Sequence, residues 1–134
     1  MNGKLLVGII LMLFIACSAN DDPVYGKWGD IIKLSEKELS VNAESNSIVI
    51  TTKGTWWWLN GIELDDNQNY DFSRTDTTQD NFLIEETEFN IERRNANEIH
   101  IFLTENESDS DRILTVFLQA GDYFDRITVT QSGK

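Results

Sequence analysis

Three consecutive tryptophans, Trp56, Trp57 and Trp58, are the side chains in this sequence best suited to hold a ligand. Neighbours in an extended strand point to opposite sides, so Trp57 takes one face while Trp56 and Trp58 take the other. All three cannot be core. If Trp57 is buried with Leu59, two indoles stay at the surface, where an aromatic face stacks against the apolar C–H face of a sugar ring. Burying Trp58 with Ile62 gives the opposite arrangement. Residues 65–79 form a polar stretch whose only large apolar groups are Tyr70 and Phe72. A loop of that length is uncommon in a compact domain and is often functional. Trp56, Trp58, Tyr70 and Phe72 are therefore the candidate ligand contacts.

Other chemistry has less to stand on. Asp65, Asn67, Asn69, Asp71, Ser73 and Asp76 alternate like the oxygen ligands of a calcium loop, but Tyr70 stands where the sharp turn needs glycine and no helical pattern flanks the run. Glu105, Glu107, Asp109 and Asp111 alternate in the same way, and both runs read as solvated turns. No metal site is assigned. His100, the lone histidine, lies between Ile99 and Ile101, where a hydrogen-bonded structural role fits better than a general base. Two carboxylates suffice for glycoside hydrolysis, yet with 23 acidic residues their presence discriminates nothing. The sequence is read as non-enzymatic and without cofactor. Asp76-Thr77-Thr78 matches a short Asp-Thr-X acceptor for O-glycosylation.

The first seventeen residues set location. Lys4 precedes an apolar run over residues 5–16, and Cys17 closes it. This is the layout of a secretory signal peptide, too short to span a bilayer. Residues 13–17 resemble a bacterial lipobox, with Phe14 in place of the usual leucine, which implies cleavage before Cys17 and lipid attachment to it. Cys17 is the only cysteine, so no disulfide or thiolate cluster competes for it. Beyond the signal ten basic residues face 23 acidic ones, a net charge of −13. Such a field repels polyanions and excludes nucleic acid as a partner. Residues 18–23 are polar and acidic, and resemble the export signal that sends lipoproteins of Bacteroidetes-type bacteria to the outer face of the outer membrane.

The domain expected behind this leader is all-β. Residues 39–41, 48–51, 56–59, 89–91, 99–103, 113–118 and 127–131 carry alternating or β-branched runs, with turn signals between them. Asn60-Gly61 reads as a turn closing the third run, and residues 80–86 as a single helical turn. Gly121-Asp122 joins the last two runs as a hairpin. Seven or so short strands in about 100 residues point to an antiparallel sandwich or barrel. The expected organisation is a signal peptide over 1–16, a lipidated Cys17 with flexible tether over 17–32, and one domain over 33–134.

The order Ile99-His100-Ile101-Phe102-Leu103, Asn106, Arg112, Ala120-Gly121-Asp122 and Ile127-Thr128-Val129-Thr130-Gln131 resembles the BACON domain, an immunoglobulin-like β-sandwich of secreted Bacteroidetes proteins. Leu39-Ser40-Val41-Asn42-Ala43, residues 48–52 and Trp57-Trp58 are similar to its first strands. The resemblance implies an immunoglobulin-like antiparallel β-sandwich that binds carbohydrate or mucin, or that serves as a spacer. Asn106, in a hairpin turn, is expected to take left-handed backbone, and Arg112 to pair with the acidic turn it ends. The expected partners are the membrane, through the acyl anchor at the outer membrane facing the exterior, and a glycan. Two alternatives compete: a structural accessory packed on another surface lipoprotein, and a lipocalin-like barrel around an apolar ligand, suggested by Gly26-Lys27-Trp28.

Overall fold

The computed structural model describes residues 29–134. The expected signal peptide, Cys17 and the tether as far as Trp28 lie outside the described residues. Eight strands follow: β1 (Glu38–Val41), β2 (Asn46–Thr51), β3 (Trp58–Leu64), β4 (Phe82–Glu85), β5 (Phe89–Arg94), β6 (Glu98–Leu103), β7 (Arg112–Ala120) and β8 (Tyr123–Gln131). They form two four-stranded sheets, ordered β1-β8-β7-β3 and β2-β6-β5-β4. Neighbours pair antiparallel except β1 with β8, which run parallel. The order β2-β6-β5 in one sheet and β3-β7-β8 in the other is that of the B-E-D and C-F-G strands of an immunoglobulin sandwich. Here β1 sits beside β8, and β4 is an extra edge strand.

Period-two alternation builds the core. Leu114, Val116, Leu118 and Ala120 of β7 and Ile127 and Val129 of β8 are buried together with Ile99, Ile101 and Leu103 of β6 and Phe89 and Ile91 of β5. Each fully buried large side chain contributes about 1.5–3 kcal/mol. These side chains fill the space between two separate sheets, which overturns the lipocalin-like barrel. Ile32, at the last position of the expected tether, is fully buried in the same core.

Two local readings are corrected. Asn60 and Gly61 lie within β3 instead of ending it, and the register with β7 shifts between Leu59 and Gly61. That bulge lets Leu59, Ile62 and Leu64 all point inward despite their uneven spacing. Residues 82–85 form β4, paired with β5 and burying Ile84, where a helical turn was expected.

Polar side chains tie the loops at one end of the sandwich. Gln131 is fully buried and donates through Nε2 to the carbonyls of Ala43, Glu44 and Thr104, while its Oε1 accepts from Arg112 at 3.1 Å. Arg112 also donates to the Thr104 carbonyl and, at 3.5 Å, to that of Glu105, so it reaches the acidic turn through a backbone carbonyl and not through a carboxylate. Asn106 is buried, without left-handed backbone, and donates to the Ser110 and Ser132 carbonyls at 2.8 and 3.0 Å. It is a cross-link between loops.

At the other end, the segment before β1 is fastened to β8. Lys37 Nζ lies 2.7 Å from Asp125 and 3.4 Å from Asp30, and Tyr123 donates its hydroxyl to Asp125 at 3.0 Å. The hydrogen bond to Asp125 pushes the Lys37 ammonium above its usual range, and burial together with Asp125 pushes the Tyr123 phenol up to about 12. Both folded-state values exceed the unfolded ones, so this stabilisation is fully present below pH 10 and is lost as pH rises toward 12. We expect the denaturation midpoint to hold between pH 8 and 9 and fall above about pH 10. Phenolate absorbance should show a group titrating near pH 12 that disappears in Tyr123→Phe. A flat stability profile through this range would contradict the assignment.

Candidate functional site

The position of the tryptophan run is fixed from below by Trp57 and Arg93. Lys53 and Gly54 donate their N–H groups to the Ile32 carbonyl, and the approach is so close that a Cβ on Gly54 would overlap the Ile31 carbonyl oxygen. Thr52 is buried, donates to the Gly54 carbonyl at 2.6 Å and accepts the Trp57 indole N–H at 3.2 Å. Trp57 is only 2% exposed. Over its ring, 3.8 Å from the centroid, lies the Arg93 guanidinium.

Arg93 continues the inward alternation of Phe89 and Ile91 along β5 and is 1% exposed. It donates Nε to the Ala96 carbonyl, Nη1 to those of Trp57 and Gln79, and Nη2 to those of Thr55 and Ala96, at 2.6–3.1 Å. A guanidinium has five N–H groups, and all are used. Burial lowers the guanidinium's pKa from its ordinary value, with the charge of Asp80 opposing the shift. One side chain thus holds the run into β3, the loop at Gln79 and the β5–β6 turn.

With Trp57 held inward, alternation turns Trp56 and Trp58 outward. Trp56 is 68% exposed and meets the half-buried Trp58 edge to face, with centroids 5.8 Å apart at 78°. The Trp56 ring leans on Gly121 in the β7–β8 turn, a position with φ +60 that suits glycine. On the outer face of the sheet, Trp58 stands opposite Gln119, and Gln119 opposite Phe124. One row further, Gly61 stands opposite Phe117 and Phe117 opposite Arg126.

Tyr70 and Phe72 lie in the β3–β4 loop, half-buried against the core, with Tyr70 edge-on to Phe89 at 5.1 Å. They line an open depression of about 400 Å³ with Asn60, Gly61, Gln68 and Phe117. The four sequence candidates therefore fall in two places: Trp56 and Trp58 meet directly, while Tyr70 and Phe72 border the neighbouring hollow. Phe117 and Phe124 were missed. The alternation of Leu114, Val116 and Leu118 is the signal that sends Phe117 outward, and the hairpin register then places Phe124 on the same face.

The oxygen side chains of the loop act locally. Asn67, Asp71 and Asp76 accept from the N–H groups of Asn69, Ser73 and Thr78, and Asp65 accepts from Ile113 N–H at 2.7 Å. Hydrogen bonds from Ser73 and Thr78 hold the Asp71 and Asp76 carboxyls below their usual range. Among the described residues no three metal-binding side chains converge. Thr77 is buried and donates its hydroxyl to the Leu59 carbonyl, so it is not presented for glycosylation. His100 lies on the outer face of the other sheet, 2.9 Å from Glu98.

A protein from Bacteroides thetaiotaomicron, solved by NMR, shares this fold with TM-score 0.63 and 22% identity, over 84% of this chain and 94% of that one. The titin M3 domain matches with TM-score 0.40 and 10% identity over 77% and 92% of the two chains. A chain of the complex between titin M10 and the obscurin-like 1 immunoglobulin domain matches with TM-score 0.42 and 8% identity over 73% and 86%. No protein-family model and no curated protein matches this chain.

The clamp predicts a large stability change. Arg93→Met leaves the carbonyls of Thr55, Trp57, Gln79 and Ala96 without their donor, and we expect a loss of about 3 kcal/mol or more in urea unfolding. A loss below about 1 kcal/mol would show that these carbonyls find other partners.

Proposed function

We propose that this chain is a surface-anchored lipoprotein whose BACON-like domain binds carbohydrate without catalysing a reaction. The observation that carries this reading is the exposed Trp56 indole, held beside Trp58 by a clamp that removes its freedom to fold inward. A ring fixed before binding loses little entropy when a sugar stacks on it. The lipobox-like sequence before Cys17 and the acidic stretch after it support an acyl anchor at the outer membrane, with the domain facing the exterior. No cofactor is required, and the net charge of −12 disfavours nucleic acid. A second reading, a structural accessory docked on another surface lipoprotein, is favoured by Val49, Leu83 and Phe102, which are exposed on the outer face of the β2-β6-β5-β4 sheet.

Glycan-array screening of the full-length chain should give a sugar ligand. Trp56→Ala or Trp58→Ala should weaken it about tenfold, the scale of one lost aromatic contact. No reducing ends should be released on prolonged incubation. An array without a hit, together with a stable co-purifying lipoprotein, would replace this reading by the second. The anchor is tested separately: Cys17→Ser should leave the membrane fraction and lose palmitate labelling. Unchanged fractionation and labelling would remove the lipoprotein assignment.

A further inference from the structure

The aromatic surface does not stop at the tryptophan pair. Phe117 is shared by two adjoining hollows on the outer face of the sheet. One contains Asn60, Gly61, Gln68, Tyr70 and Phe72, and the other Phe124, Asp125 and Arg126. Gly61 leaves room for the ring, because a Cβ there would stand 3.3 Å from Phe117 Cδ2, close enough to push the ring aside by a few tenths of an ångström. Phe124 is 59% exposed, and Trp58 lies two strands away across Gln119. Two interstrand steps are roughly 10 Å, the span of two linked sugar rings.

From this geometry we propose that the face takes an internal segment of an extended, neutral polysaccharide, laid across β3, β7 and β8 over Phe117. The proposal depends on the carbohydrate reading and specifies its substrate class. Two adjoining open hollows that share Phe117 support successive rings of a chain. Recognition of a chain end needs walls that enclose a single terminal sugar. Around these aromatics stand the amides of Asn60, Gln68 and Gln119 and the charges of Arg126 and Asp125, with the Gln68 amide donating to Glu63. Gln119 is held by its bond to the Gly121 carbonyl at 2.8 Å, which orients its amide beside Trp58 and Phe124. Amides of this kind hydrogen-bond hydroxyls without requiring charge on the sugar. The strongly acidic molecule repels uronic, sialylated or sulfated chains.

The test is affinity gel electrophoresis of the full-length chain in mild detergent, with xyloglucan, galactomannan, mixed-linkage β-glucan or yeast mannan in the gel. Polygalacturonate and chondroitin sulfate serve as anionic counterparts. Calorimetry then follows oligosaccharides of increasing length from the polymer that retards the protein. We expect retardation by a neutral polymer and not by the anionic ones, negligible monosaccharide binding, and affinity that rises with length. Phe124→Ala and Phe117→Leu should each weaken binding roughly five- to tenfold. The exposed Phe124→Ala variant should keep its thermal midpoint, and it decides the matter with Gln119→Ala if Phe117→Leu fails to fold. If Trp56→Ala abolishes binding while these variants bind normally, the footprint is wrong and the carbohydrate reading stands. Monosaccharide binding equal to that of the polymer, or retardation by the anionic polymers, also overturns the proposal. Absence of binding to these polymers and to every arrayed glycan overturns both.

Discussion

The buried guanidinium of Arg93 is the constraint on which the presentation of this protein's surface depends. A charge removed from water is costly unless every donor finds an acceptor. Here no carboxylate is hydrogen-bonded to the cation, and the charge of Asp80 only partly offsets its burial: four backbone carbonyls take all five N–H groups, and the Trp57 ring covers the guanidinium face. The converse also holds, since those carbonyls belong to irregular chain with no ladder partner of their own. Segment and side chain stabilise each other, and the segment is left with one conformation. That conformation puts Trp57 in the core and obliges Trp56 and Trp58 to face outward.

The same device closes the opposite end of the sandwich. Gln131, Arg112 and Asn106 bond loop carbonyls that would otherwise be buried without donors. The resemblance carried by Asn106, Arg112 and the terminal Thr-Val-Thr-Gln has this physical meaning, a set of side-chain donors fitted to the loops that join the two sheets. Together with the inward apolar alternation, these bonds hold the loops of the two-sheet sandwich in place. The exposed aromatics are a separate choice, made at outward positions that the core leaves free.

Strands with clean alternation were legible in the sequence because the period-two pattern and the buried face are one fact seen twice. β6, β7 and β8 are examples, with the Gly121-Asp122 turn between the last two. Asn60-Gly61 was not legible as strand, since the dipeptide is locally identical to a hairpin turn. Its place in β3 follows from the pairing with β7 beyond the bulge, where Gly61 stands opposite Phe117 and the ring packs against it. β4 was hidden because Phe82, Leu83 and Ile84 form an unbroken apolar run without alternation. Arg93, next to Arg94 in a charged stretch, reads as surface; the inward series from Phe89 and Ile91 was the signal that placed it inside. Alternation alone set Trp57 apart from Trp56 and Trp58 but left open which side faces inward, and the burial of Trp57 under Arg93 decides it. Phe117 and Phe124 required the register between strands, which no single strand carries.

The central claim is that a clamped Trp57 displays Trp56 and Trp58 to a sugar, and indole N–H resonances report on it directly. In a nitrogen-15 correlation spectrum titrated with an oligosaccharide from the bound polymer, the Trp57 indole signal should be slow to exchange with solvent and unmoved. Those of Trp56 and Trp58 should exchange quickly and shift in proportion to saturation. A Trp57 signal that exchanges as fast as the other two, or saturation of the protein with neither outer indole moving, would contradict the account.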